Sequence, residues 1–331
     1  MNTVGNSFSS IFQEIQLPQQ KKLSAVDRSS NQLLFPRVFV PSIDIDFQGF
    51  ISEVKSNKAL LEKYLLSCGA ILLRGFPVST ASNFNDVVEA LGFKEFPYIG
   101  GAASRTHVTG RIFTANKAPP ENIITFHHEM SNLPEYPSKL YFFCETEPAN
   151  GGETPIVFSN HIYQQILKKH PDFVLKLEEL GLTYKRFLGN EDDDSKPVGR
   201  SWKSSFMTDD KSIAEERAAK MCMKLEWMED GVNTITGPLP AFKVDGNTGN
   251  KTWFNAMFTA HAWKDSANGI AYGNGTPLPS SIVDDCHKLC HQECVAIPWE
   301  RGDVLLLDNL AVLHSRRSFQ PPRRILASLA I

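Results

Sequence analysis

The sequence predicts a β-core decorated by helices. Short apolar runs of strand length recur along the chain, as in Ala70-Ile71-Leu72-Leu73 and Val304-Leu305-Leu306-Leu307. Helical spacing is confined to a few stretches around them, and strands and helices do not alternate in a βαβ rhythm. The chain of 331 residues is long enough for one large domain or two small ones. No internal repeat or domain linker divides it.

Residues 1–36 are rich in Ser, Gln and Asn without a sustained period, and are expected to be a flexible or loosely docked arm. Folding proper is expected to begin at Val38-Phe39-Val40. Residues 51–66 carry Val54, Leu60, Leu61, Tyr64 and Leu65 at helical spacing, and Gly69 stops that helix. Ala70 to Arg74 reads as a buried strand ended by Gly75-Phe76-Pro77, and residues 84–91 as a second helix. Residues 98–105 are rich in Gly and Ala, which suits a loop beside a ligand. A strand over residues 123–130 follows, then a turn at 132–137 and an aromatic-rich strand at 139–146. Asn150-Gly151-Gly152 is a tight turn before a strand at 153–158. Helices are expected at 160–169 and 171–180, the second opened by Pro171.

Residues 189–211 read as a long, lid-like loop, with Asp192-Asp193-Asp194 as a solvated charge run. A helix over 212–224, a strand over 251–258 and a turn region at 273–279 come next. Cys286, Cys290 and Cys294 recur every four residues, in one helical stripe with Ile282, Val283 and Leu289. Ser281-x-x-Asp284 supplies a capping signal for that helix. A buried cysteine face explains the stripe better than zinc, because the spacing misses the Cys-x₂-Cys pairs of common zinc sites. Residues 303–307 and 324–331 read as the last buried strands.

Net charge is −3 and no basic block occurs, which argues against a nucleic-acid partner. No apolar run approaches the ~20 residues that span a bilayer. The first residues lack a secretory apolar core, so a reducing, cytoplasmic location with six free thiols is expected.

The chemistry centres on Ile123-Ile124-Thr125-Phe126-His127-His128-Glu129-Met130. On a strand, His127 and Glu129 point one way and His128 the other. An imidazole and a carboxylate on one face, joined by a second histidine from elsewhere, would hold non-haem Fe(II) and leave positions open. His314 follows a buried strand and a turn and is a candidate for that second histidine. Arg324, ten residues on (324 − 314), opens an apolar strand and is costly to bury unless it meets an anion such as a carboxylate.

The assembled pattern resembles the taurine dioxygenase branch of the Fe(II)/2-oxoglutarate oxygenases, and most closely the plant clavaminate synthase-like proteins. The resemblance runs from Gly69-Ala70-Ile71-Leu72-Leu73-Arg74-Gly75-Phe76 to the last residue. It takes in Phe126 to Met130, Gly151-Gly152-Glu153-Thr154-Pro155, Trp253-Phe254-Asn255, and Asp308-Asn309 through His314 to Arg323-Arg324. It implies a double-stranded β-helix (jelly roll) over residues 37–331 as a single oxygenase domain. His127, Glu129 and His314 would be the metal ligands, and Thr154 and Arg324 would bind 2-oxoglutarate, with O2 as the other co-substrate. The implied activity is Fe(II)- and 2-oxoglutarate-dependent oxidation of a small molecule, giving succinate and CO2. The branch usually has Asp where this chain has Glu129, a glutamate that the clavaminate synthase-like members share. In the taurine-oxidising member, an arginine four residues after the co-substrate arginine grips the sulfonate. Here that position is Ser328, which argues against small sulfonates.

Other readings stay open at this point. Two histidines and a glutamate also suit catalytic zinc, though no His-Glu-x-x-His pattern exists, since Asn132 stands fourth after His128. A non-catalytic metal-binding jelly roll would need neither Thr154 nor Arg324. An interaction protein docking through the acidic loop is a third class. Candidates for contact with substrate are the 98–105 loop, Met130, Ser131, Trp202 and Asn255, with Arg105 or Arg111 for an anionic one. The sequence gives no oligomeric state.

Overall fold

The computed structural model describes residues 11–23, 33–193, 199–246, 248–262 and 269–331. Alternation along the strands sorts the apolar side chains into layers. In the strand Lys139–Thr146, Tyr141 and Phe143 face one core while Leu140, Phe142 and Cys144 face another. The strand belongs to an eight-stranded sheet. In spatial order its strands are Phe12–Ile15, Arg37–Pro41, Ala70–Leu73, Val304–Asp308, Lys139–Thr146, Arg324–Ala330, Ile112–Thr114 and His107–Thr109. Only the pairing of Arg37–Pro41 with Ala70–Leu73 is parallel.

One face of this sheet packs under the helices Phe47–Cys68 and Ala81–Leu91. Its other face packs on a three-stranded sheet of Ile156–Phe158, Val312–Arg316 and Ile124–His127, through Ile156, Phe158 and Val312. The far side of the small sheet carries Phe126, Val157 and Leu313 against the helices Ser159–Lys169, Pro171–Leu180 and Ser280–Glu293. The fold is a double-stranded β-helix, a jelly roll sheathed by helices. Among the described residues no helix is long and apolar enough to cross a membrane.

Several expectations need correction. Within the flexible or loosely docked arm expected over residues 1–36, Phe12–Ile15 is the edge strand of the large sheet, paired antiparallel with Arg37–Pro41. Phe12 is buried among Phe39, Phe50 and Phe76, and Glu14 bonds Arg37, so aromatic burial overrides the polar composition. Residues 1–10 and 24–32 lie outside the described part. The expected 212–224 helix ends at Lys220, and Met223–Trp227 begins a four-stranded sheet with Gly231–Leu239, Leu182–Gly189 and Gly269–Tyr272. The expected 251–258 strand stops at Trp253 because Asn255 turns the chain. Asn255 Nδ2 donates to Ala241 O at 2.9 Å and Oδ1 accepts from Met257 N at 3.0 Å, starting the helix Met257–Ala262. The Ser281-x-x-Asp284 box does not form, since Pro279 occupies the N-cap without a side-chain bond. On that helix Cys286 and Cys290 are buried as expected, while Cys294 is its C-cap residue, and all six cysteines are free thiols.

Gly69 joins the first long helix to the central strand Ala70–Leu73 with φ of 79°, and an added Cβ would sit 2.7 Å from Val312 Cγ2. Left-handed strain and the clash act together, so Gly69→Ala is expected to cost about 1–3 kcal/mol in urea unfolding. Unchanged stability would remove this account of the junction.

Candidate metal centre and its cavity

His127 ends the strand Ile124–His127 and stands directly opposite His314 in the antiparallel pair with Val312–Arg316. Directly opposed residues project from the same face, and the two rings lie 4.2 Å apart, centroid to centroid. Glu129 follows two residues later, beyond the strand, in a turn where Met130 takes φ of 57°. The expected strand through Met130 is therefore shorter, and a clamp replaces strand geometry in aiming Glu129. Asn309, fully buried, supplies it: Oδ1 accepts from Glu129 N at 2.9 Å, while Nδ2 donates to Glu129 O at 3.0 Å and Pro137 O at 2.8 Å. Donor atoms of His127, Glu129 and His314 all lie within 4.8 Å of one another.

The imidazoles are prepared for ligation. His127 Nδ1 donates to Thr125 O at 2.8 Å, which leaves Nε2 with its lone pair. Burial, aided by His127, His128 and Arg105, holds His314 well below the usual histidine range, so its ring is neutral. His314 Nδ1 is buried without a hydrogen-bond partner in the protein, which is costly unless another group meets this ring. Two imidazoles and a carboxylate converging on one point, with that orphaned nitrogen, fit a metal ion. His128 points the other way. Its ring sits against Asn309 O, Trp253 O at 2.7 Å and Ser159 Oγ at 3.0 Å, and burial lowers its pKa to about 3. It is a structural strut.

A cavity of about 310 Å³ opens on the three residues. Thr154 lines it, and its Oγ accepts from Trp299 Nε1 at 3.3 Å. Arg324 does not line it. Its side chain is half exposed and paired with Glu145, against expectation. The reason is period two: Ile325, Ala327 and Leu329 face the interior between the sheets, whereas Leu326 and Ala330 face the helices, and Arg324 shares their side. Of these two neighbouring arginines it is Arg323 that lines the cavity, and its Nε donates to Gly152 O at 2.8 Å. Gly152 is required there, because an added Cβ would lie 2.8 Å from Arg323 Cδ. Burial, and then Arg316, lower the Arg323 pKa to about 10.

The 98–105 loop lines the cavity, as expected, and so does its last residue, Arg105. Arg105 is only 7% exposed, with Nη2 3.0 Å from Glu129 Oε2 and its guanidinium 4.5 Å from the Tyr98 ring centroid. Burial opposes its charge, but Glu129 and Tyr98 outweigh it and hold the pKa above the ordinary value. Met130 also lines the cavity, whereas Ser131, Trp202, Asn255 and Arg111 do not. Ser131 bonds His128 O, Trp202 packs edge-on against Trp227, and Arg111 bonds Phe93 O. Asp192 accepts from Ser201 N and Ser204 Oγ, both at 2.7 Å, and Asp194 lies outside the described residues. Among the lining residues that the sequence does not single out are two arginines, Arg186 and Arg316. The signal for Arg186 was an arginine in the inward row Leu182, Tyr184, Leu188 of an alternating strand.

Fold and site together define a jelly-roll protein with a histidine–glutamate–histidine cluster at the end of its small sheet. The family described as Taurine catabolism dioxygenase TauD, TfdA family matches residues 30–329, and the chain belongs to it. A clavaminate synthase-like protein of Arabidopsis thaliana is 52% identical over 322 residues, covering 96% of this chain and 97% of its own. A dapdiamide synthesis protein of Enterobacter agglomerans is 25% identical over 303 residues, covering 86% and 88%. Among solved structures, AAD-2 in complex with Mn(II) and N-oxalylglycine aligns with a TM-score of 0.51 at 11% identity, over 94% of this chain and 96% of its own. A taurine dioxygenase from Burkholderia xenovorans aligns with a TM-score of 0.50 at 14% identity, over 88% and 85%. At those identities the structures establish the fold.

Asn309→Ala removes three buried hydrogen bonds, two to the Glu129 backbone and one to Pro137 O. It is expected to cost about 2–4 kcal/mol in urea unfolding, and to weaken Mn(II) binding about ten- to a hundredfold, read by electron paramagnetic resonance of the free ion. Unaltered Mn(II) affinity in a folded variant would show that the clamp does not aim Glu129.

Proposed function

We propose that the protein is a non-haem Fe(II)- and 2-oxoglutarate-dependent dioxygenase acting on a small molecule. Hydroxylation is the primary outcome, with desaturation or cyclisation as branches, and succinate and CO2 are released. The observation that carries this reading is the convergence of His127, Glu129 and His314 on a cavity whose wall also presents Thr154 and Arg323. Membership of the TauD/TfdA family supports it.

His127, Glu129 and His314 would hold Fe(II) from one side and leave the cavity side open. Iron, with 2-oxoglutarate and O2 bound beside it, would supply the oxidative decarboxylation and the oxidising power. Arg323 would take the far carboxylate of 2-oxoglutarate in a bidentate pair, replacing Arg324 in that role. The Thr154 hydroxyl already accepts from Trp299, so its own proton is free to donate to the same co-substrate. The residue four places after Arg323 is Ala327, uncharged like Ser328, which argues against small sulfonates. In this reading residues 37–331 form one oxygenase domain, whose sheet also takes in Phe12–Ile15. Of the segment expected to be a lid, the described helix Trp202–Phe206 contributes Ser205 and Phe206 to the cavity lining. Six free thiols suit a cytoplasmic location.

Anaerobic addition of Fe(II) and then 2-oxoglutarate is expected to raise a visible metal-to-ketoacid charge-transfer band. The band should vanish in His127→Ala, weaken at least tenfold in 2-oxoglutarate affinity in Arg323→Ala, and persist in Arg324→Ala. No band in folded, iron-replete protein would end the oxygenase reading. A band sensitive to Arg324 and indifferent to Arg323 would restore the original assignment.

A further inference from the structure

Asn309 fixes the backbone of Glu129, but the carboxylate head sits beyond rotatable side-chain bonds that the backbone does not control. Arg105 meets that head. Its Nη2 lies 3.0 Å from Glu129 Oε2, and both side chains are more than nine-tenths buried. A pair at that depth is little screened by salt, and a charge-assisted contact to a carboxylate is strong and directional. The charge of Arg105 also acts on His314. Arg105 therefore bears on two of the three candidate ligands without being one of them.

Arg105 is itself built into place. Its guanidinium lies 4.5 Å from the centroid of the Tyr98 ring, a cation–π arrangement. The Tyr98 hydroxyl accepts from Ala103 N at 3.1 Å, which closes the 98–105 loop on itself. Arg200 Nη1 donates to Tyr98 O at 3.2 Å and to Gly101 O at 3.1 Å, and Gly100 N donates to Ser205 O at 2.9 Å. The loop is thus bonded to the chain at Arg200 and Ser205, and it delivers its last residue to Glu129 in a defined place. A buried ion pair stabilises a fold less than apolar residues of the same size. What Arg105 does for Glu129 is therefore the better account of it.

A fixed cation beside a metal ligand has a definite electrostatic consequence. It opposes every further positive charge at the site, and in a buried site that opposition is felt strongly. Fe(III) carries one more charge than Fe(II), so the cation favours the ferrous ion. Resting on the oxygenase reading, which requires Fe(II), we infer that Arg105 is a positioning residue for Glu129 whose charge holds bound iron in the ferrous state. It orients the carboxylate head toward the His127–His314 pair, and it makes the loss of an electron harder. The oxidation resisted is the passage of one electron from Fe(II) to an external one-electron acceptor, leaving Fe(III). No bond of the protein is made or broken in it.

The test is an anaerobic redox titration of the iron-loaded protein with mediator dyes as the electron acceptors, read by electron paramagnetic resonance of Fe(III). At a fixed potential, Arg105→Gln is expected to raise the ratio of Fe(III) to Fe(II) about tenfold or more, a fall of about 59 mV or more in midpoint potential. Arg105→Lys keeps the charge and should stay near the wild type, and Arg324→Gln should not change the ratio. A ratio unmoved in Arg105→Gln, or moved as far in Arg105→Lys, overturns the inference. If Arg105→Gln fails to fold by circular dichroism or to hold iron, Tyr98→Leu decides. It removes the ring beside the guanidinium and should raise the ratio by a smaller factor, and an unmoved ratio there overturns the inference. The charge-transfer band keeps the two readings apart. A band together with a ratio indifferent to Arg105 removes this role and leaves the oxygenase. A ratio that answers to Arg105 without a band removes the oxygenase and leaves Arg105 its role. Wild-type protein that takes up no iron overturns both.

Discussion

Directly opposed residues of an antiparallel pair share one face about 5 Å apart, and the candidate centre rests on one such pair. His127 and His314 are 187 positions apart in sequence (314 − 127), yet the register of two strands sets their rings side by side. A one-residue slip would turn one ring to the opposite face of the sheet. The register is held on both sides of the central strand, because His314 also stands opposite Ile156 of the third strand. Leu313, its neighbour on the other face, is buried among the helices behind. Packing on the back of the small sheet thus fixes the geometry at its front.

Glu129 depends on a different device. The strand ends before it, and Asn309, from the turn before His314, bonds its backbone in both directions. The same turn meets the ring of His128 through Asn309 O. One residue therefore ties together the two chain segments that carry the three candidate ligands. A buried amide with its bonds satisfied is a rigid part of a core.

Charge is distributed unevenly around this frame. Among the described residues, arginines converge on the cavity from the 98–105 loop, the four-stranded sheet, the small sheet and the entry to the last strand. Arg105 meets Glu129, Arg316 is occupied by backbone carbonyls, and Arg323 is braced by Gly152. Such groups stabilise the fold less than apolar residues of their size would.

The apolar runs were legible one by one because burial on both faces leaves the middle of a strand with few polar residues to disguise it. Ala70–Leu73, Lys139–Thr146 and Val304–Asp308 are such strands. The Leu182–Gly189 strand was not legible, since its inward row contains a charge and its outward row is mixed. The edge strand Phe12–Ile15 was hidden in polar sequence, its place being set by an aromatic cluster built from distant segments. By itself the sequence determined the β-core, the helix ends at Gly69 and Pro171, and the set His127, Glu129 and His314, because residue type and spacing carry that information locally. Only the tertiary structure showed that Arg323, and not Arg324, lines the cavity, as Arg105 and Arg186 also do. Which face of a strand looks inward depends on what packs against it, and long-range pairing alone fixes that.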